Sequence, residues 1–198
     1  MFQQEGMQWI FACSLYLRAM ITYRIATPAD ADAIAALHAD SWQRHYRGIF
    51  TDEYLDSQVL EDRLGVWRTR FTKPAANQYA VVAEDGGRLC GFACTFAGHD
   101  PTWGALLDNL HVQAAWQGSG IGAELMRRSA QWLQAHDHTK FYLWVLEENH
   151  AARAFYERMG ARYADRSIEH HAGGSRAAII RCVWDSLEAL AGQVSPGG

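Results

Sequence analysis

The residues best suited to chemistry stand together in LHVQAAWQGSGIGAEL, Leu110 to Leu125. Gly118, Gly120 and Gly122 crowd one turn between a strand and a helix, where glycine lets the backbone approach a ligand closely. The first N–H groups of the helix that follows have no partner inside it. Such an end holds phosphate, so the turn predicts a site for a pyrophosphate-containing ligand. Histidine offers a second chemistry through two local pairs, His136 with His138 and His170 with His171. Neither pair has HExxH spacing and no cysteine accompanies them, so no metal is expected.

Three other readings of the turn fail on context. Gly118, Gly120 and Ala123 formally satisfy the GxGxxA dinucleotide fingerprint. That fingerprint follows its strand directly and usually opens its fold, whereas Gly118 comes well after Val112, behind four expected strands and two helices. No GK[ST] follows and no lysine is near, which excludes a nucleoside-triphosphate loop. Ser119 sits between glycines, but Gln117 occupies the first glycine position of GxSxG, which argues against a hydrolase elbow.

Bulk properties narrow the class. The chain of 198 residues is 49% hydrophobic and 20% charged, which suits one globular domain with an adequate core. Its net charge is −4, and Lys73 and Lys140 are the only lysines among 18 basic residues. No basic stripe invites a nucleic acid; small or cationic partners fit better. Cys13, Cys90, Cys94 and Cys182 form no CxxC pair and read as reduced thiols of a cytoplasmic protein. The apolar run from Ile10 to Leu17 lacks a basic leader and a cleavage site, and is too short to span a bilayer. Residues 1–19 are therefore expected to be an extension, 20–190 the domain and 191–198 a flexible tail, with no membrane partner.

The elements that must position the turn follow in order. Residues 21–26 alternate as a first strand. Thr27, Pro28 and Asp30 start a helix carrying Ile34, Leu37, Trp42 and Tyr46. Thr51, Asp52 and Glu53 start another, with Leu55, Val59, Leu60, Leu64 and Trp67 inward until Pro74 stops it. Residues 79–83 and 89–96 flank Asp85-Gly86-Gly87 as an antiparallel hairpin, and His99, Asp100 and Pro101 fall in a loop. Residues 106–112 form a fourth strand, 120–135 a helix, and 141–146 an apolar strand covered on both faces. Strand, helix, strand implies a parallel pair. Asn149 caps one more helix, Gly160 ends it, and two late strands near 161–168 and 177–184 flank a loop of His171, Ala172, Gly173 and Gly174.

Gln117, Gly120 and Gly122 also satisfy QxxGxG after an LxV strand at Leu110 and Val112. Here the sequence resembles the GNAT superfamily of N-acetyltransferases. LWVLEENHAARAFYERMGA, Leu143 to Ala161, looks like that family's next strand and helix, and SWQRHYRGIFTDEYLD, Ser41 to Asp56, resembles its acceptor-side helices. The resemblance spans about residues 21–184. It implies a single α/β (α+β) domain whose central sheet is mixed and mostly antiparallel, splayed between strands four and five, with helices on both faces. It also implies acetyl-CoA as co-substrate, with its pyrophosphate on Gln117, Gly118, Ser119, Gly120, Ile121 and Gly122. The pantetheine arm would lie along Leu110, His111 and Val112, with Asn149 on its amide; Asn149 also reads as a helix cap alone.

The same resemblance assigns roles in transfer to a primary amine. Tyr156 matches the tyrosine that protonates the leaving thiolate, beside the alternative that it only joins the apolar stripe of Ala152 and Phe155. Several members carry a glutamate where this chain has Leu106. Asp108, two residues on and on the same strand face, is the substitute proton acceptor, beside the alternative of a solvated strand-edge carboxylate. His111 can titrate near neutral pH or simply pack. Trp42 and Tyr46 shape the acceptor pocket, where an aromatic face can receive a cation, or belong to the core. The resulting expectation is N-acetylation of a small-molecule amine by direct attack in a ternary complex. The rival is a noncatalytic acyl-CoA-binding module, and many members pair through their late strands, which leaves a homodimer open.

Overall fold

A single mixed sheet organises the chain, in a computed structural model that describes residues 21–170 and 176–192. β1 (Ile21–Ile25), β2 (Gln78–Asp85), β3 (Arg88–Asp100) and β4 (Gly104–Val112) form an antiparallel meander. Gly86 and Gly87 both have positive φ, 55° and 83°, as the tight β2–β3 turn requires. β5 (Phe141–Leu146) then lies parallel to β4, and β7 (Arg176–Trp184) inserts between β5 and β6 (Arg162–His170), giving the order β1-β2-β3-β4-β5-β7-β6. The expected mixed, mostly antiparallel sheet is thus present.

Helices cover both faces. α4 (Ile121–Gln134), α5 (His150–Arg158) and the short α6 (Glu188–Gly192) take one side. Ile121, Leu125, Met126, Ala130 and Leu133 repeat at helical spacing and meet Ala93, Ala105, Leu107, Phe141 and Leu143 of the sheet. α1 (Ala31–His45) and α3 (Val59–Thr72) take the other, where Ile34, Ala35 and Trp67 pack on Val82, Phe92 and Cys94.

Three local expectations change. The second expected helix is two, α2 (Asp52–Ser57) and α3, broken at Gln58. With Val59 buried at the start of α3, its neighbour Leu60 points outward and is 48% exposed. His99 and Asp100 belong to β3 rather than to a loop, with the turn made by Asp100 Oδ1 accepting from the N–H groups of Thr102 and Trp103. α6 had no expected counterpart; Leu187 just before it and Leu190 within it are fully buried and anchor it. The expectations for residues 1–19, the His171–Gly174 loop and the chain end from 193 lie outside the described residues.

Candidate active site

The site begins where pairing stops. β4 and β5 pair only at Ala105 with Phe141 and Leu106 with Tyr142, and beyond them the two strands diverge. Among the described residues the β5-facing edge of Leu107 to Val112 therefore has no strand partner, and such an edge offers N–H and C=O groups to any extended ligand. Leu110, His111 and Val112 lie on it.

At the end of that edge stands the glycine turn. Gly120 has φ 90° and caps α4, and Gly118 has φ 79°. A Cβ at either would meet nothing within 4 Å, so conformation rather than space demands glycine here. The first intrahelical bond runs from Glu124 N–H to the Gly120 carbonyl, 3.0 Å. The N–H groups of Ile121, Gly122 and Ala123 are accordingly outside the helical ladder, aimed with the positive end of the helix dipole. Gln117 Nε2 donates to the Val112 carbonyl at 3.4 Å and Ser119 Oγ to that of Trp116 at 2.6 Å, which folds the loop on itself. The one acidic side chain of the first turn, Glu124, is held by Arg127 and Arg128 at 2.5 and 2.7 Å.

A cavity of about 1080 Å³ runs from this turn through the gap between β4 and β5 to α1 and α3. It sits at the upper end of small-molecule sites, with room for two ligands. Gln117, Gly118, Gly120, Ile121, Gly122, Leu110, His111, Val112, Asn149, Tyr156, Asp108, Trp42 and Tyr46 all line it. The structure thus brings together every expected site residue except Ser119, whose neighbours on both sides line the wall.

α5 supplies one side of the gap. Asn149 Oδ1 caps it by accepting from the Ala152 N–H at 3.1 Å. Gly160, at φ 88°, donates to the Glu157 carbonyl while Ala161 donates to that of Tyr156, at 2.9 Å each, the Schellman ending of a helix. Between these stops Tyr156 is 9% exposed, and its hydroxyl has no hydrogen-bond partner among the described residues. Burial, then the neighbouring Tyr46, pushes its phenol well above the usual range. Tyr156 therefore stays protonated across neutral pH.

β4 supplies the opposite side through a bulge. Cys94 pairs with Asn109 and Thr95 with Leu107, leaving Asp108 as the extra residue. Both Asp108 and Asn109 turn to α3, where Arg70 contacts each at 2.7 Å. Asp108 is thus held by a guanidinium instead of standing as a free strand-edge carboxylate. The bulge also turns His111 toward α1, with Nδ1 2.8 Å from Ser41 Oγ and its ring centroid 4.6 Å from that of His38. Burial, then the charges of His45 and Arg63, pushes His111 down to about 3; it does not titrate near neutral pH.

The far wall is aromatic and cationic. Trp42 stacks on Phe50 at 5.0 Å and carries the Arg63 guanidinium 4.3 Å above its ring, so the cation on its face is the protein's own. Tyr46 packs edge-on to Trp42 at 5.4 Å and is pushed up to about 12 by burial and by Glu169. His38, Ser41, Arg63, Arg70, Asn109 and Glu169 also line the cavity without having been singled out in the sequence. A signal existed for two of them: Arg63, Trp67 and Arg70 repeat at four and three residues, one face of a helix. Among the described residues no three metal-ligating side chains come together, and no helix is long and apolar enough to cross a membrane.

Comparison with known proteins bears on this arrangement. The sequence profile of the Acetyltransferase (GNAT) family matches residues 35–161. The chain is 31% identical to the probable N-acetyltransferase Rv2775 of Mycobacterium tuberculosis, over 70% of this chain and 78% of that protein. It is 26% identical to the uncharacterized N-acetyltransferase YuaI of Bacillus subtilis, over 86% and 96% respectively. In fold it is similar to the PaiA N-acetyltransferase of Thermoplasma acidophilum solved with coenzyme A, with a TM-score of 0.62 and 20% identity over 81% of this chain and 97% of that one.

Proposed function

The chain belongs to the acetyltransferase (GNAT) family, and from that premise we propose that it transfers the acetyl group of acetyl-CoA to a primary amine of a small-molecule acceptor. The observation that carries this reading is the continuity of the cavity. One unpaired strand edge leads from an amide-lined helix start, past Tyr156, into a second chamber walled by α1 and α3. The complex of the PaiA enzyme with coenzyme A supports the same class of ligand here.

The donor set fits an acyl-CoA. Free N–H groups of Ile121, Gly122 and Ala123 suit a pyrophosphate, and the β4 edge at Leu110, His111 and Val112 suits an amide-bearing arm, with Asn149 across the gap. Acetyl-CoA supplies an activated acetyl thioester and a thiolate leaving group. The residues do the rest. Tyr156, protonated and free at its hydroxyl, delivers a proton at the leaving sulfur as the amine nitrogen bonds to the acetyl carbon. Asp108, fixed by Arg70, accepts through water the proton the amine gives up, so the two proton transfers balance. Trp42 and Tyr46 hold the acceptor beside the bulge, and holding both partners in one cavity lowers the entropic barrier. Buried unpaired thiols at Cys90, Cys94 and Cys182 agree with a cytoplasmic setting.

Incubation with acetyl-CoA and a panel of amines, read by thiol release, tests this reading. Release that depends on an amine is the expected result. Acetyl-CoA binding without release for any amine would favour a noncatalytic acyl-CoA-binding module.

A further inference from the structure

We propose that the acceptor carries an anionic oxygen group, of which a carboxylate is the simplest, in addition to its amine, and that Arg63 receives it. The inference rests on the transferase reading for the identity of the amine end, but its evidence lies on the opposite wall.

Arg63 projects from α3 into the cavity wall with its side chain 15% exposed. Its guanidinium is fixed 4.3 Å over Trp42, and its carboxylate partner Asp62, 2.9 Å away, is absent from the residues that line the cavity. The acidic residues that do line it are Asp108 and Glu169. Asp108 is taken by Arg70, and Glu169 stands by Tyr46. Among the described residues, Arg63 is therefore a cation presented to the chamber without a facing carboxylate.

Two buried donors on the same wall lack an acceptor among the described residues. Arg63 Nε makes no hydrogen bond. Trp67 Nε1 donates to His38 Nδ1 at 3.1 Å, which places the proton of the neutral imidazole on Nε2, and that atom also has no partner. His38 is 1% exposed, so solvent does not compensate, and unmatched buried donors are costly. A planar anion with two oxygens is the group that a guanidinium fork and a neighbouring N–H are shaped to bind. The local field agrees, since Arg63 contributes to keeping both His38 and His111 uncharged. A cationic tail, as in a polyamine, meets repulsion here. Arg63 and His38, both packed against Trp42, take the anion, while Tyr156 and Asp108 serve the amine.

The test is equilibrium binding, in the presence of coenzyme A, of N-acetylated amino acids and their matched carboxamides, run in parallel with thiol release from acetyl-CoA and the corresponding free amines. We expect each carboxylate to bind at least about tenfold more tightly than its carboxamide, the scale of one charge-assisted hydrogen bond. Arg63→Met, which keeps the stem over Trp42, should erase that ratio, and Arg63→Lys should restore part of it; matching thermal midpoints establish that both variants fold. Equal affinities, failure of every carboxylate to bind, or a ratio that survives in Arg63→Met overturns the proposal. Thiol release with carboxamides alone would overturn it while leaving the transferase reading intact. A carboxylate preference without thiol release from any amine would do the reverse.

Discussion

The Arg70 guanidinium on α3 sits 2.7 Å from the Asp108 carboxylate at the bulge of β4. Through that contact a helix on one face of the sheet fixes the acidic group nearest the point where the strands part. Asp108→Asn is expected to lower kcat/KM about a hundredfold, the scale of one general base. Arg70→Leu should do so nearly as much, because the carboxylate is no longer held. Initial rates at several pH values check this: both variants should regain activity as rising pH deprotonates the amine in solution. Wild-type rates in Asp108→Asn would remove it from the proton path.

Tyr156→Phe should lower kcat about a hundredfold while leaving the affinity for acetyl-CoA within about twofold, since the phenol acts on the leaving sulfur and the ring still packs. Because burial raises the Tyr156 pKa, wild-type kcat should show no alkaline fall from loss of this acid between pH 7 and about pH 10. Steady-state kinetics and calorimetric titration with acetyl-CoA separate the two effects; equal kcat in the variant would leave Tyr156 as a packing residue only.

Gly120→Ala places a Cβ on a residue at φ 90°. The cost should be about 1 to 2 kcal/mol of stability. Reorientation of the N–H groups beyond it should raise the KM for acetyl-CoA with little change in the KM for the amine. Thermal unfolding and a two-substrate rate matrix check this, and an unchanged cofactor KM would detach the turn from donor binding.

Two buried imidazoles weaken the fold as pH falls just below neutral, before the carboxylates protonate. His38 and His111 are held below the ordinary 6.5, His111 at about 3, by burial first. As pH falls through 6.5 the unfolded chain binds protons that the folded chain refuses. Stability is therefore complete above about pH 6.5 and declines below it, by at most about 1.4 kcal/mol per pH unit for each group. Asp30, held near 2 by Arg24, adds its own loss only below its ordinary 3.8. Urea unfolding between about pH 6.5 and 5 should show this slope, and the His38→Gln, His111→Asn double variant should flatten it.

Much of this arrangement was legible in the chain, and the parts that were not share a cause. Glycine spacing, the Asn149 cap and the apolar run of β5 each report local conformation, and each element stands where those signals put it. The bulge at Asp108 has no such signal. It changes which residues face α3 by one position, so strict alternation along β4 would set Asn109 and His111 on the α4 side, away from the chamber they line. Arg63, Arg70 and His38 were hidden for a related reason. Helical spacing groups Arg63 with Arg70 on α3, and His38 stands apart on α1; the role of all three depends on a cavity that exists only where two strands part. The break at Gln58 falls where no proline or glycine stands, so no residue type announced it.

Two ligands held in one cavity would exchange the acetyl group directly, with no acetylated protein between them. The most direct measurement follows an isotopically labelled acetyl group from acetyl-CoA, with and without an acceptor amine, in the thiol, amine and protein fractions. Label is expected on the amine nitrogen in equimolar amount to free coenzyme A, and none on the protein under either condition. Label that accumulates on the protein, or that stays on coenzyme A with every amine while the complex forms, would contradict direct transfer.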